Sequence, residues 1–169
     1  MTVEHKKSAE VTLLDSASHD PLNTRAFGKV EIIQNGSVTF TTAAASGSTG
    51  VLARLPIGAI ITSIKITCTA SSGFSSGDFG VYTAAGSGGV GTVISKDCLK
   101  KGQSLASAIS TPTEILTTRH KTVYEHITAT LNAAPDTKLL NGPVDIVVTA
   151  ETIGSHASTI TAEVRYCIS

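Results

Sequence analysis

Apolar and polar residues alternate along several stretches of the chain with the two-residue period of a β-strand. In residues 60–69 the alternation separates two faces, and one buried face beside one solvated face is typical of an antiparallel sheet. We predict that the buried face of this strand carries Ile60, Thr62, Ile64, Ile66 and Cys68. The stretch 160–168 alternates in the same way, and its predicted core face carries Ile160, Ala162, Val164, Tyr166 and Ile168.

Turn signals divide these stretches into short strands. Asn35-Gly36 lies between two β-rich runs and predicts a two-residue hairpin turn, because both residues tolerate positive φ. Residues 78–83 predict a strand whose inward side chains are Phe79 and Val81. The last two strands, in 143–151 and 160–168, are predicted to pair as a hairpin joined by a long loop.

The pattern is weaker between residues 99 and 131. Residues 102–110 and residues 121–132 each suit a short helix, and in the second stretch Val123, Ile127 and Leu131 recur at a four-residue spacing. Additional strands are the alternative interpretation of this region.

Together these elements predict an all-β fold, namely an antiparallel, jelly-roll-like β-sandwich with one or two short helices. The sandwich domain is expected at residues 29–169, preceded by an extended N-terminal arm at residues 1–28. The arm is mostly polar and contains one apolar cluster, formed by Val11, Leu13 and Leu14. An edge strand followed by a loop is the alternative interpretation of the same residues.

Composition and charge limit the partners that this chain can bind. It carries 13 basic and 13 acidic side chains, so it lacks the positive excess that holds nucleic acid or an anionic membrane. Aromatic residues make up 4% and Trp is absent, which disfavours a lectin or a single-strand nucleic-acid binder, because both stack ligands on exposed rings. We therefore expect no nucleic-acid partner and no membrane partner.

The cysteines and the N-terminus indicate where the protein is made. Cys68, Cys98 and Cys167 form no CxxC pair and no spacing that suits zinc, so we interpret them as small apolar core residues. Residues 1–16 have no apolar signal region, and no run approaches the length of a membrane span. A soluble protein that folds in a reducing cytoplasm is expected.

No pattern in the chain predicts a catalytic, cofactor-binding or metal site. Residues 86–91 match G-x-G-x-x-G, but a predicted strand follows where a dinucleotide site needs a helix N-terminus. His120 and His126 would lie on different sides of a helix, whereas two zinc ligands on a helix share one face. No G-x-S-x-G nucleophile motif and no calcium-binding loop is present. We predict that the protein is not an enzyme and needs no cofactor.

Three segments of the chain resemble small structural proteins of tailed bacteriophages, of the capsid decoration (cement) and head-fibre-base type. In such proteins an RLPxGA segment starts a long strand, a short lGvY strand follows, and the chain ends on a v-x-v-x-Y strand. The matching residues are Arg54, Leu55, Pro56, Gly58 and Ala59, then Gly80, Val81 and Tyr82, and finally Val164 and Tyr166. The resemblance covers residues 50–85 and 143–169.

The resemblance implies a decoration protein that binds the major capsid protein on the outside of the head shell and stabilises the shell across subunit boundaries. Its expected location is the virion, after synthesis in the host cytoplasm. The arm is expected to carry the capsid contacts through Lys6, Lys7, Val11, Leu13 and Leu14. A symmetric shell favours a homo-oligomer, with a trimer at threefold positions as the expectation and a dimer as the alternative.

Two other functions remain open at this point. A head-fibre or tail module that binds a host glycan would need an aromatic-bearing groove or large variable loops, but the candidate loops 43–50, 71–77 and 84–91 are rich in Gly, Ser and Ala. A small secreted glycanase would need paired carboxylates in an aromatic-lined cleft and a signal peptide.

Overall fold

The computed structural model describes residues 4–7, 31–40, 46–69, 76–85, 90–131, 142–151 and 157–168. These residues form strands and one short helix. The strands are β1 (Glu4–Lys7), β2 (Glu31–Phe40), β3 (Thr49–Leu55), β4 (Ala59–Cys68), β5 (Ser76–Thr83), β6 (Val93–Ser104), β7 (Ile109–Glu114), β8 (Lys121–Thr122), β9 (Val144–Ala150) and β10 (Ser158–Ile168), and the helix is α1 (Val123–Leu131).

The strands build two antiparallel sheets. The six-stranded sheet has the order β1-β2-β10-β4-β7, and β8 also pairs with β4. The four-stranded sheet has the order β3-β9-β5-β6. The two sheets pack face to face as a sandwich, and the side chains between them form the core.

The pairing of strands is nested along the chain. β2 pairs with β10, β3 with β9, β4 with β7 and β5 with β6, as in one long antiparallel ribbon that is wound up. β10 also pairs with β4, and β9 also pairs with β5, so the paired strands lie side by side within the two sheets. This is the connectivity of a jelly roll, so the predicted all-β sandwich is confirmed.

The predicted hairpin of the last two strands is wrong. β9 belongs to the four-stranded sheet, between β3 and β5, whereas β10 belongs to the six-stranded sheet, between β2 and β4. All seven residues of β9 are buried. Because β9 is covered on both faces, it fits the centre of a sheet, and the chain crosses to the other sheet before β10 starts.

The predicted hairpin turn at Asn35-Gly36 is also wrong, since both residues lie inside the continuous strand β2. Gly36 serves close packing instead of a turn. A Cβ on Gly36 would lie 1.7 Å from the backbone oxygen of Leu52, so only glycine lets β3 approach β2 this closely.

Strand β4 is predicted correctly in its second half and out of phase in its first half. Ile64, Ile66 and Cys68 are buried as predicted, but Ile61 is buried in place of Ile60. The register with β10 shifts where Arg165 faces Ser63 and Tyr166 faces Ile61. A β-bulge inserts one extra residue there and reverses the faces of the strand, which strict alternation cannot anticipate.

Helix α1 forms within one of the two stretches that suit a helix. Thr122 and Glu125 make a capping box: the Thr122 backbone N–H donates to Glu125 Oε2 over 2.7 Å, and the Glu125 N–H donates to Thr122 Oγ1 over 3.1 Å. The helical interpretation of residues 102–110 is wrong, because these residues join the end of β6 to the start of β7.

The core contains most of the predicted inward side chains. Phe79 and Val81 of β5 are completely buried, as are Ile160, Ala162 and Val164 of β10. Tyr166 is buried too, but Ile168 is 54% exposed, because it is the last residue of its strand.

Candidate partner-binding surface

The six-stranded sheet leaves the outer face of its central strands partly exposed. We call this surface the open face; its residues are Glu31, Ile33, Asn35, Ser37 and Thr39 of β2, Thr62, Lys65 and Thr67 of β4, and Thr159, Thr161, Glu163 and Arg165 of β10. Each of them is exposed or half-buried, whereas their neighbours along the strands point into the core. Apart from Thr62, which reaches this surface through the bulge in β4, the two-residue alternation of the strands produces the open face.

One half of the open face is uncharged and rich in hydroxyl groups. Ser37 pairs with Thr161 across β2 and β10, and their hydroxyl oxygens are 3.1 Å apart. Thr39 and Thr159 form the next pair, with their hydroxyl oxygens 2.9 Å apart. Hydroxyl pairs of this kind hold their side chains in fixed orientations and strengthen the cross-strand contact by a few tenths to about 1 kcal/mol.

The other half of the open face carries charges of both signs. Arg165 donates from Nε to Glu163 Oε1 over 2.7 Å, and its Nη1 lies 3.5 Å from Glu31 Oε2. Glu31 also accepts a hydrogen bond from the Thr62 hydroxyl. The hydrogen bond to Glu163 raises the pKa of Arg165 above its ordinary value. These opposite charges are neighbours, so the surface presents no strong field of one sign.

The size of the open face suits a protein interface. With about 3.3 Å per residue and about 4.8 Å between strands, β2, β10 and β4 span about 36 Å by about 14 Å, or about 500 Å². Stable protein interfaces bury about 800 Å² on each partner. The open face alone therefore provides more than half of the area that one partner buries in a specific contact.

A shallow groove lies at the uncharged end of this sheet. It is lined by Thr67, Cys68, Thr69, Ala108, Ile109, Ser110, Thr159 and Thr161. At this place the register between β4 and β7 shifts, so that residues 110–112 of β7 lie opposite Thr67 alone, whereas Ile109 pairs with Cys68. No charged or aromatic side chain is among these lining residues, which gives the groove little means to stack a sugar ring.

Strand β1 forms the edge of the six-stranded sheet. Lys6 and Lys7, two of the predicted contact residues, pair in register with Ile33 and Ile32 of β2. A short lysine-bearing edge strand is a common device against unwanted strand addition. The other predicted contact residues, Val11, Leu13 and Leu14, lie outside the described residues, as does most of the proposed arm, and their role stays a prediction.

The outer face of the four-stranded sheet is closed. Asp145 of β9 is completely buried, and its two carboxylate oxygens accept from Arg54 Nε over 2.6 Å and from Arg54 Nη2 over 3.0 Å. The same Nη2 also donates to the backbone oxygen of Ala85 over 2.9 Å. Arg54 thus reaches from β3 across the sheet, and the hydrogen bond to Asp145 raises the pKa of Arg54.

A second cation covers the other end of that outer face. Asp78 of β5 is buried, accepts from the Gly102 N–H over 2.7 Å and lies 3.5 Å from Lys96 Nζ. Lys96 also contacts Glu151 over 2.8 Å, and this hydrogen bond raises the pKa of Lys96. Between the two ion pairs, Val147 is completely buried.

The backbone of β6 completes this cover. Four residues of β6, 96–99, lie opposite Gly80 alone, because the register with β5 jumps between Phe79 and Val81. A Cβ on Gly80 would lie 2.1 Å from the backbone oxygen of Ser95. The strand can therefore bulge over β5 only where β5 has no side chain.

Several residues of the segments 54–59, 80–82 and 164–166 have structural roles in the sandwich. The Ala59 N–H donates to the Pro56 oxygen over 2.9 Å, closing the turn that carries the chain from one sheet to the other. Gln34 ties the sheets together, since its amide exchanges two hydrogen bonds with the Arg54 backbone and donates to the Tyr166 hydroxyl over 3.0 Å. These contacts hold the two sheets of the sandwich together.

His120, His126 and Cys98 are not among the residues of the open face. His120 is exposed in the turn before β8, whereas His126 is buried in α1. Burial raises the pKa of the Cys98 thiol to about 12, so this thiol stays protonated and unreactive at neutral pH. Among the described residues, no group of three or more His, Cys, Asp and Glu side chains could hold a metal ion.

The open face itself was not predicted, although its signal was present. The alternation in residues 158–168 assigns Thr159, Thr161, Glu163 and Arg165 to the face opposite the core. The sequence does not say that β2 and β4 flank β10 and add their own hydroxyl and charged side chains to the same surface.

No helix in the described part of the chain is long and apolar enough to cross a membrane.

Comparison with known proteins does not assign this chain to a family. No protein-family model and no curated protein matches it. Among solved structures, it is similar to a chain of the cyanophage Pam1 capsid asymmetric unit, with 16% sequence identity, 91% of each chain covered and a TM-score of 0.48. A likeness at this level carries no conclusion about function.

Proposed function

We propose that this protein is a capsid decoration protein of a tailed bacteriophage, which binds the outside of the head shell and stabilises it across subunit boundaries. The observation that carries the proposal is the set of motifs shared with such proteins. Arg54–Ala59 provides the ion pair and the sheet-to-sheet turn, Gly80 admits the β6 bulge, and Tyr166 accepts from Gln34. The shared residues are thus the ones that this jelly roll needs.

The open face supports a contact with a large protein partner. It is locally neutral, its hydroxyl pairs are already oriented, and its area is more than half of what one partner buries in a standard interface. A rigid sheet surface loses little conformational entropy on binding, which favours affinity. In this proposal the open face rests on the major capsid protein, together with the N-terminal residues that include Lys6 and Lys7.

The proposed assembly is a homotrimer at threefold positions of the shell, with a dimer as the alternative. A closed symmetric oligomer offers several identical contacts to a symmetric surface. Linked contacts raise the overall affinity well above that of one copy, so each contact can be weak.

Co-sedimentation with phage shells that lack the protein tests this function. We expect saturable binding, and the loaded shells should resist heat better than the bare shells. Light scattering on the free protein should give the mass of a trimer. A defined oligomer that does not sediment with shells would contradict the proposal, and binding of a host oligosaccharide by that oligomer would favour the head-fibre alternative.

Charge reversal at two lysine pairs locates the contact. Lys6→Glu with Lys7→Glu should reduce shell occupancy at least about tenfold, because both lysines sit on the edge strand next to the open face. The matched control is Lys100→Glu with Lys101→Glu, which makes the same charge change on β6 of the other sheet. Equal occupancy for the two variants would show that β1 is not part of the contact.

A bulky charge on the open face provides a second test. Thr161→Arg places a long cation among uncharged hydroxyl groups and should reduce shell binding without unfolding the protein, since Thr161 is exposed. Ala106→Arg is the matched control, because Ala106 is exposed in the connection between β6 and β7. Full binding by the Thr161 variant would remove the open face from the proposed contact.

A further inference from the structure

Helix α1 closes one side of the sandwich. It packs against β6 of the four-stranded sheet and against β4 and β8 of the six-stranded sheet. Val123 and Ile127 point into the core and are completely buried, beside the buried Ile115 and Leu116. The helix therefore covers core side chains that would otherwise meet solvent between the sheets.

This closure contains a buried imidazole. His126 is only 5% exposed, and its Nε2 is fully buried with no hydrogen-bond partner in the described part of the chain. A buried polar atom without a partner is unfavourable, and a charged imidazole in the same place is more unfavourable still. The site therefore tolerates the neutral imidazole and opposes the imidazolium.

The charged groups around α1 do not make the imidazolium form of His126 favourable. The elements packed against the helix carry Lys121 on β8, Lys65 on β4, and Lys96, Asp97, Lys100 and Lys101 on β6, and α1 itself carries Glu125. Burial is the main cause that lowers the pKa of His126, and the charge of Lys121 lowers it further. Glu125 acts in the opposite direction but is a smaller cause.

The helix is also short. It has nine residues, a length at which an isolated helix is marginal, so it depends on its tertiary contacts. The sheets around it are held by long antiparallel ladders, such as the ten register pairs between β2 and β10. A local penalty at α1 is therefore expected to open the helix before it separates the sheets.

We propose that His126 makes helix α1 an acid-sensitive closure, which leaves the sandwich when the imidazole gains a proton while the two sheets stay paired. The proton comes from solvent, and the opened helix exposes its apolar side chains Val123 and Ile127. The direction follows from linkage. With a folded-state pKa below the ordinary value of 6.5, the closure has its full stability above about pH 6.5 and loses it as the pH falls below that value.

Glu125 defines the lower end of the useful pH range. Its carboxylate holds the capping box, and the hydrogen bonds from Thr122 lower its pKa below the ordinary value of 4.5. The cap therefore keeps its charge at about pH 5, where an imidazole with its ordinary pKa would already be protonated. Opening between about pH 7 and about pH 5 thus reports on His126 and not on the cap.

Amide hydrogen exchange on the full-length protein, read by mass spectrometry at about pH 7.5 and about pH 5.0, tests the proposal. After correction for the intrinsic exchange rate, the amides of α1 should lose protection at least about fivefold at the lower pH, while those of β10 and β9 keep theirs. His126→Leu, which cannot titrate and keeps the site apolar, should abolish this change. His120→Asn is the matched control, because it removes an exposed histidine and should behave like the parent protein.

Three results would overturn the proposal. One is α1 protection that does not depend on pH in the parent protein. Another is an unchanged pH response in His126→Leu or, if that variant does not fold, in His126→Gln. The third is loss of protection in β9, β10 and α1 together, which would show global unfolding and no separate closure. None of these results bears on shell binding, which is measured independently.

Discussion

The outer faces of the two sheets differ: that of the six-stranded sheet is exposed, and that of the four-stranded sheet is buried. The six-stranded sheet leaves hydroxyl and charged side chains at the surface, and its ion pairs, such as Arg165 with Glu163, join groups that are each 34% exposed. The four-stranded sheet buries its outer face, and its ion pair joins Arg54 to an Asp145 side chain with no exposed surface. The same type of pair therefore has a different energetic role on each side, because solvent screens one and is excluded from the carboxylate of the other.

This difference gives the two sheets different parts in the stability of the domain. The closed outer face adds a second buried layer to a small domain, which needs burial to be stable. The open face contributes less to stability, so substitutions there should be tolerated better. Matched substitutions on the two faces test this difference.

The largest effect is expected for Arg54→Met. It leaves the buried Asp145 carboxylate without its cation and should lower the free energy of unfolding by about 3 kcal/mol. Urea denaturation followed by circular dichroism measures the change. Lys101→Met is the control, since its partner Asp97 lies 3.8 Å away and the Lys101 side chain is 80% exposed; its expected effect is near zero.

The double variant Arg54→Met with Asp145→Val refines this result. Removing both charges should restore much of the loss, because the penalty comes from the unpaired carboxylate. If the double variant is less stable than Arg54→Met alone, the carboxylate is not the source of the penalty.

Gly80→Ala should be the next most harmful change, with a loss of about 2–3 kcal/mol. Its Cβ would meet the backbone of Ser95 and Lys96, which cannot move aside as a flexible side chain would. Gly142→Ala is the matched control, because a Cβ there meets nothing within 4 Å. Equal melting temperatures for the two variants would show that the β6 bulge does not lie tightly over β5.

The third prediction makes the same chemical exchange in opposite directions on the two faces. Val147→Thr places a hydroxyl in the closed outer face and should cost about 1–3 kcal/mol. Thr161→Val removes an exposed hydroxyl and its pairing with Ser37, and should change stability by less than about 0.5 kcal/mol. Similar losses from both substitutions would remove the distinction between a closed and an open face.

The smallest effect is expected for Glu163→Gln. It neutralises the partner of Arg165 on the open face and should cost no more than about 0.5 kcal/mol. Repeating the denaturation at high salt should shrink even this difference, because salt screens exposed charges. A loss that is large and independent of salt would mean that the open face is covered in solution.

Prediction from the sequence succeeded where the signal was local. Phe79 and Val81 were assigned to the core because alternation within a strand decides which residues share a face. Val123 and Ile127 were placed on one helix, and the Thr122–Glu125 capping box starts it.

Prediction failed where distant segments decide the outcome. Asn35-Gly36 has the composition of a hairpin turn, but the approach of Leu52 to Gly36 keeps β2 continuous. Ile60 and Ile61 exchanged faces because β10 imposes a bulge on β4. The last two strands, adjacent in sequence, went to different sheets because β9 needed cover on both of its faces.

Local patterns specify the all-β class, most strand positions and the inward or outward direction of side chains within a strand, since these depend on the two-residue period of the backbone. The choice of neighbouring strands, and hence of the outer face that is closed, comes from contacts between distant segments. Closure requires Arg54 of β3 to reach Asp145 of β9, across 91 positions of the chain. Such pairs are selected by the packing of the whole sandwich, and no local pattern records them.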